Sequence, residues 1–295
     1  MRQPTFELAD IVKQYKGDFL EKHKVSNHDL RTLGAIEKCR TAALCGHVDK
    51  CNNTSCGHVR ISYNSCRNRH CPKCQGKNRE HWVSDRQADL LPCTYYHLVF
   101  TMPSLLHAHC IAHPAAMYTI LFSASKETVE AFGKDPKHLG AEMSMVSLLH
   151  TWGQNLSLHP HVHMIVPGGG FTPAGYWKNA KSEGKFLFPA KAMAIVYRAK
   201  FLQKLTAFLK ANNQPPLAND LRQKLFQINW VVYAKTPFGG PEQVIEYIGR
   251  YSHKIAISNH RIKNVSDGKV TFQYKDYADQ SITKRMTLDA SEFLR

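Results

Sequence analysis

Two histidines separated by a single residue, His161 and His163, lie in an apolar run that ends at Pro167. In a β-strand, residues two apart point to the same face, so the two imidazoles would lie side by side while Val162 points the other way. Neutral imidazole is a common metal ligand. Two such ligands hold a divalent cation and leave coordination positions open, which suits metal-assisted chemistry on a phosphate oxygen. The alternative is an exposed strand face with two polar side chains.

A second candidate is the segment 243–254, which has helical spacing and follows Pro241, a residue suited to a first helical turn. Tyr247 and Tyr251 are four residues apart and therefore share a helix face, which Gln243 extends. Tyrosines at this spacing commonly serve in packing. A phenol can also attack a phosphodiester, but its unperturbed pKa of about 10 requires a base or a cation that stabilises the developing charge. A tyrosine helix packed against the histidine strand would meet that requirement.

Cysteine forms a third pattern, because seven of the nine cysteines fall within residues 39–74. In a chain of a reducing compartment, such clustering indicates metal binding before disulfides. Two pairs with a short loop between them predict a zinc ribbon whose closed tetrahedral shell makes the zinc structural. The predicted ligands are Cys51, Cys56, Cys71 and Cys74. Cys66 and His70 are alternates, and a second zinc stays open.

The charge of the chain indicates its partner. Lys and Arg total 39 against 23 Asp and Glu, a formal net charge of +16, which favours nucleic acid. Cationic side chains that would contact DNA phosphates surround the cysteine knuckle and recur on the tyrosine helix. They are Arg67, Arg69, Lys73, Lys77, Arg79, Arg250 and Lys254.

The length of 295 residues fits one large domain plus a small module. We predict a helical, zinc-binding and DNA-binding module over 1–90 and a catalytic domain over 93–295. No secretory signal is visible, and prolines interrupt the uncharged stretch 90–125, which we interpret as a strand and a helix rather than a membrane span. We expect a cytoplasmic protein.

Coarse periodicity assigns helices and strands to the stretches that carry these motifs. The pattern predicts helices over 10–20, 26–39, 78–91, 114–132 and 189–211, and one opening at 241. It predicts strands over 95–102, the second half of 142–156, 160–166, 228–234, 256–262 and 269–274, with a hairpin-like insertion at 171–188. Ser26 is the expected N-cap of the second helix.

Four stretches together make the chain resemble a known family, the HUH-endonuclease transposases of the rolling-circle insertion-sequence-91 type. They are Cys-Arg-Thr-Ala-Ala-Leu at 39–44, the knuckle at 64–75, His-Pro-His-Val-His at 159–163, and Tyr-Ile-Gly-Arg-Tyr-Ser-His-Lys at 247–254 with Ile-Ser-Asn-His-Arg at 257–261. The similarity runs over nearly the whole chain. The order and joint presence of these motifs are specific, although no single one is decisive.

This resemblance implies a bacterial, nucleoid-associated protein with a small N-terminal helical and zinc-ribbon module and a catalytic HUH domain. The implied fold class is α+β, with a central antiparallel sheet, the RRM-like palm, flanked by helices. His161 and His163 would bind Mg²⁺ or Mn²⁺, with Gln243 as the third ligand and His253, Gln154 and His159 as alternatives to it. Tyr247 and Tyr251 would be nucleophiles that cleave single-stranded or hairpin DNA ends through a 5′-phosphotyrosine. Family members usually continue beyond Arg295, and we expect either a truncated chain or a shortened reading frame.

Three other functions remain open at this point. One is a replication initiator or relaxase with the same chemistry. Another is a non-catalytic, zinc-dependent DNA-binding protein, which would bind DNA without forming a covalent adduct. The third is a metal-dependent hydrolase that activates water, whose cleavage would survive loss of both tyrosines.

Overall fold

The structure is a computed structural model that describes residues 4–74, 84–85, 90–180, 187–235, 243–244, 246–247, 249, 255–277 and 279–295. The α-helices delimited within the described residues are α1 (Leu8–Lys22), α2 (Asn27–Lys38), α3 (His107–Ala112), α4 (Pro114–Lys134), α5 (Ala190–Ala211), α6 (Asn219–Gln227) and α7 (Ala290–Leu294). The strands are β1 (Gly46–Lys50), β2 (Val59–Tyr63), β3 (Tyr95–Thr101), β4 (Val146–Trp152), β5 (Leu158–Pro167), β6 (Gly169–Phe171), β7 (Trp177–Asn179), β8 (Val232–Lys235), β9 (Ile262–Ser266), β10 (Lys269–Asp276) and β11 (Ile282–Asp289).

The described residues form two compact units. The first takes in residues from 1–82, 154–157 and 253–295, and the second takes in residues from 83–153 and 158–252. This division differs from the predicted ranges of 1–90 and 93–295. The reason is a shared core, in which Ile11 of α1 packs with Val270 and Phe272 of β10 and with Phe293 of α7.

Local capping defines the start of α2. The Asp29 N–H donates to the Ser26 hydroxyl at 3.2 Å, and the Ser26 N–H donates to the Asp29 carboxylate at 3.0 Å. This reciprocal pair satisfies two backbone donors that the helix cannot satisfy itself. The predicted helices 10–20 and 26–39 are therefore both present, and their apolar faces meet in a small core that includes Phe19 and Ile36.

The predicted strand 256–262 is wrong, since a 3₁₀ turn occupies Asn259–Arg261 and the strand begins at Ile262. The Arg261 guanidinium donates to the carbonyls of Ala256 and Gln273, both at 2.8 Å, and also to that of Gln154. Side-chain bonds of this kind give the backbone an alternative to a sheet ladder. Similarly, the predicted strand 228–234 begins only at Val232 in the structure.

The second unit is built on a four-stranded antiparallel sheet in the order β4-β5-β3-β8. Leu98 and Phe100 of β3 and Val162 and Met164 of β5 are fully buried in the core that contains α4 and α5. Because side chains alternate along a strand, the residues between them face the other side of the sheet. The predicted α+β fold, with a central antiparallel sheet flanked by helices, is confirmed.

The uncharged stretch 90–125 forms β3, α3 and the first part of α4, as a strand followed by helices. Within the described residues, no helix has both the length and the apolar character needed to cross a bilayer. The predicted helix at 78–91 lies almost entirely outside the described residues, as does part of the insertion at 171–188, where β6 and β7 form a short hairpin.

Candidate functional site

Three imidazoles meet on the face of the sheet opposite the helical core. His161 and His163 lie on β5, and β4 places His150 directly opposite His161 in the antiparallel register. One ring nitrogen of each residue lies within 4.8 Å of those of the other two. His150 and His163 are buried, whereas His161 is partly exposed. We name these three residues the histidine cluster.

Sequence reasoning did not single out His150. It did predict a strand in the second half of 142–156 beside the histidine strand. The sequence did not give the register between β4 and β5. A shift of one residue in that register would turn His150 to the opposite face of the sheet. The signal was therefore present in the sequence but became specific only with the pairing.

Hydrogen bonds orient the two β5 imidazoles. Nδ1 of His161 lies 2.6 Å from the carbonyl oxygen of His159, and Nδ1 of His163 lies 2.9 Å from Nε2 of His97. A carbonyl only accepts, so Nδ1 of His161 carries the proton, and the neutral ring keeps the lone pair on Nε2. Metal-binding histidines are characteristically fixed in this manner through the second ring nitrogen. The donor set of the cluster fits a divalent cation with open positions.

A tyrosine reaches this cluster through one further imidazole. The Tyr247 hydroxyl lies 3.1 Å from Nδ1 of His97, whose other ring nitrogen contacts His163. Residues 246–247 and 249 are helical, Tyr247 is partly buried, and His97 is 3% exposed. His97 was not among the predicted site residues. It alternates along β3 with the core residues Leu98 and Phe100, so it lies on the same face of the sheet as His161 and His163.

Of the remaining residues predicted for this site, only some lie within the described part of the chain. Gln243 is helical and exposed, and its role as third ligand stays a prediction beside the observed position of His150. His159 contributes its carbonyl oxygen, while the carbonyl of Gln154 is bound by Arg261. The predictions for Tyr251, Arg250, Lys254 and His253 lie outside the described residues.

A second cluster lies in the first unit and consists of Cys39, Cys66, Cys71 and Cys74, whose sulfur atoms all lie within 4.8 Å of one another. The sulfur of Cys74 is 3.4 Å from that of Cys39 and 3.7 Å from that of Cys66. Zinc–sulfur bonds of about 2.3 Å in a tetrahedron place the sulfurs about 3.8 Å apart. The geometry of this cysteine cluster therefore fits zinc.

The observed cysteines differ from the predicted set. Cys71 and Cys74 belong to the cluster as predicted, but Cys39 and the alternate Cys66 take the places of Cys51 and Cys56. The other alternate, His70, is exposed. Cys51 and Cys56 are exposed at the far end of the β1–β2 hairpin, and Cys66 follows its near end. Five-residue strands extend roughly 16 Å, which separates the two ends of the hairpin.

Burial changes the acidity of the clustered thiols. It raises the pKa of Cys66 to about 11 and that of Cys71 well above its ordinary range. Without a nearby cation these sulfurs would stay protonated at neutral pH, whereas a coordinated zinc ion deprotonates them. Hydrogen bonds from neighbouring thiols instead contribute to a lowered pKa of Cys74. The mutual spacing of the four sulfurs is the feature that fits a coordinated zinc ion.

The basic residues around the cysteine cluster fall into two groups. Arg67 and Arg69 are exposed and can contact a polyanion. Lys73 instead forms an ion pair with Glu7, which reduces its availability for phosphate. The predictions for Lys77 and Arg79 lie outside the described residues.

Fold and sites together define an α+β protein with a cluster of four cysteine thiols and a cluster of three imidazoles that is connected to a tyrosine. Residues 144–295 match the family described as "Putative transposase" (Y2_Tnp), and residues 11–102 match "Transposase zinc-binding domain" (Zn_Tnp_IS91). The first match spans more than half of the chain, and the chain belongs to this transposase family, of the insertion-sequence-91 type.

Two relatives support the same membership. "Putative transposase y4qJ" of Sinorhizobium fredii is 44% identical, over 98% of this chain and 75% of that protein. The transposase for insertion sequence element IS801 of Pseudomonas savastanoi pv. phaseolicola is 28% identical, over 93% of this chain and 67% of that protein.

Solved structures give a weaker likeness. The conjugative relaxase TrwC in complex with oriT DNA, in its metal-bound structure, is matched at 10% identity over 78% of this chain and 96% of that chain, with a TM-score of 0.31. A metal-free TrwC complex gives 11% identity over 53% and 71%, with a TM-score of 0.30. Scores this low do not establish a shared fold.

Proposed function

We propose that this transposase cleaves and rejoins single-stranded DNA by metal-assisted tyrosine transesterification, in rolling-circle fashion, as an HUH endonuclease. The observation that carries the proposal is the connection between the Tyr247 hydroxyl and the histidine cluster through His97, with hydrogen-bonding distances of 3.1 and 2.9 Å. A nucleophile near a multi-imidazole cation site is the arrangement that this chemistry requires.

His161, His163 and His150 would hold Mg²⁺ or Mn²⁺, which supplies charge stabilisation at the scissile phosphate. The phenol oxygen of Tyr247 forms a bond to phosphorus, and the bond from phosphorus to the 3′ oxygen breaks. The phenol loses its proton, and the released 3′ oxygen gains one. The 5′-phosphate then stays on the tyrosine, so a new 3′-hydroxyl can reverse the step without ATP. Tyr251 would act as the second nucleophile for the second strand transfer.

The cysteine cluster serves a different purpose in this proposal. Four thiolates fill the coordination shell of zinc, so the ion has a structural role in the first unit. Arg67 and Arg69, exposed beside the cluster, would contact DNA phosphates. We propose a zinc- and DNA-binding role for 1–90 and a catalytic role for 93–295, acting on single-stranded or hairpin element ends.

The test is a denaturing gel of labelled single-stranded oligonucleotides incubated with the protein and Mg²⁺ or Mn²⁺. We expect a protein-linked product that is lost when Tyr247→Phe and Tyr251→Phe are combined. Cleavage without an adduct that survives both changes would instead support a water-activating hydrolase. Tight binding with neither cleavage nor adduct would support a non-catalytic DNA-binding protein.

The initiator or relaxase alternative shares this chemistry and needs a separate assay. A donor plasmid carrying the element between its ends, together with a marked target, measures movement of the element. We expect transfer of the element in the presence of the protein. Cleavage of oligonucleotides without such transfer would favour the initiator or relaxase.

A further inference from the structure

We infer that a cation bound at His163 fixes the direction of the hydrogen bond between His97 and Tyr247, so that His97 donates to the phenol oxygen. His97 then acts as a positioning residue that couples occupancy of the histidine cluster to the readiness of the nucleophile. The inference rests on the proposed function, because it takes Tyr247 as the attacking group.

A neutral imidazole carries one proton, on one of its two ring nitrogens. When Nε2 of His163 binds a cation, its proton lies on Nδ1, which is 2.9 Å from Nε2 of His97. Nε2 of His97 must accept that hydrogen bond, so the proton of His97 lies on Nδ1. Nδ1 is the atom 3.1 Å from the Tyr247 hydroxyl, and it therefore donates to the phenol oxygen.

Without a cation the same atoms allow the opposite arrangement. His163 can then carry its proton on Nε2 and accept at Nδ1 from Nε2 of His97. Nδ1 of His97 would in turn accept from the Tyr247 hydroxyl. The two arrangements hold the same number of protons and the same heavy-atom contacts, so a cation at His163 selects between them without any change of net charge on the two histidines.

The selected arrangement favours catalysis in two ways. A donor aimed at the phenol oxygen stabilises the negative charge that develops there as the O–H bond breaks. The hydroxyl proton, in turn, no longer points at His97 and is directed elsewhere. His97 is 3% exposed, and a hydrogen bond in so dry a setting is electrostatically stronger than in water.

The direct test is ¹⁵N NMR of the full chain labelled at histidine, which distinguishes protonated from unprotonated ring nitrogens. His97 is assigned by the signals lost in His97→Gln, with His138→Gln as a control outside the histidine cluster. With saturating Mg²⁺ we expect the proton of His97 on Nδ1. A proton on Nε2 of His97 in the Mg²⁺-loaded protein would overturn the inference.

A kinetic test separates this role from a purely structural one. We expect His97→Ala to slow single-turnover adduct formation by about 100-fold, the effect of removing one such donor, with DNA affinity unchanged. His97→Gln, whose amide can donate and accept, should recover part of the rate. Far-UV circular dichroism and thermal unfolding of both variants check folding.

The two proposals fail in different ways. Absence of any tyrosine-linked product with the unmodified protein contradicts the proposed function itself. A normal adduct with the unmodified protein, formed equally fast by His97→Ala, contradicts only the coupling through His97.

Discussion

The two clusters differ in how many positions they leave open around a cation. The cysteine cluster offers four soft sulfur donors and is built from the end of α2 and the loops after β2. The histidine cluster offers three imidazoles from two paired strands and has a tyrosine in contact through His97. Four thiolates close a tetrahedron, whereas three neutral nitrogens leave positions for phosphate oxygens.

The cysteine cluster and the histidine cluster also differ in the hydrophobic core beside them. The thiols of the cysteine cluster pack into the small core formed by α1 and α2, so the ion there would replace hydrophobic area that a small module lacks. The sheet of the second unit has its own large apolar core on the opposite face, so we expect its stability to depend little on the histidine cluster. One metal site is therefore expected to support folding and the other to support chemistry.

The largest expected effect separates the clusters by stability. Cys74→Ser should release zinc and unfold the first unit, because structural zinc contributes roughly 10–16 kcal/mol in small zinc-finger peptides. Zinc content by atomic absorption and unfolding by circular dichroism measure the change. The matched control is Cys110→Ser, a buried cysteine of the second-unit core, expected to cost about 0.5–3 kcal/mol and to leave zinc bound. Full zinc content in Cys74→Ser would contradict the assignment of the cysteine cluster as the structural zinc site.

The next effect separates the clusters by chemistry. His161→Ala should reduce cleavage by about a thousandfold or more, since lost charge stabilisation of several kcal/mol corresponds to such factors. Its unfolding midpoint and DNA affinity should change little, because His161 is partly exposed and phosphate contacts elsewhere carry binding. Gel-shift titration beside the cleavage assay measures both. An equal loss of binding and cleavage would make the histidine cluster structural.

Features of the fold and the site that depend on residues close together in the sequence could be predicted, whereas those that depend on contacts between distant segments could not. Ser26 and Asp29 predict the start of α2 because capping is local, and His161-Val162-His163 predicts a shared face because strand alternation is local. Cys39 could not be chosen over Cys51 in this manner, since its approach to Cys74 depends on how α2 packs against a distant loop. His150 similarly required the register between two strands.

Side-chain hydrogen bonds to backbone groups explain why the predicted strand 256–262 does not form. The apolar residues at 255–257 favour a strand by pattern alone, and Ile257 is indeed buried. Asn259 accepts from the Leu8 N–H at 3.0 Å and Arg261 binds several carbonyls, so side chains from this segment satisfy backbone groups elsewhere. Such long-range polar contacts have no periodic signature in a sequence.

A smaller effect identifies the third ligand of the histidine cluster. Changing even an outer partner of a metal ligand typically costs 10–100-fold in affinity, so His150→Ala should raise the Mg²⁺ concentration for half-maximal cleavage by at least about tenfold. Gln243→Ala is the matched comparison, since Gln243 is exposed on the tyrosine helix. We expect it to leave that concentration unchanged. A raised Mg²⁺ requirement in Gln243→Ala, with an unchanged requirement in His150→Ala, would instead identify Gln243 as the third ligand.

The smallest expected effect concerns the cysteines at the tip of the β1–β2 hairpin. Cys51→Ser combined with Cys56→Ser should leave the zinc content and the unfolding midpoint of the first unit within error, because both residues are exposed and the cysteine cluster is complete without them. Surface substitutions of this kind usually change stability by less than about 0.5 kcal/mol. Metal analysis per chain gives a sharp reading, since loss of one zinc with retention of the fold would mean that the hairpin tip holds a second ion.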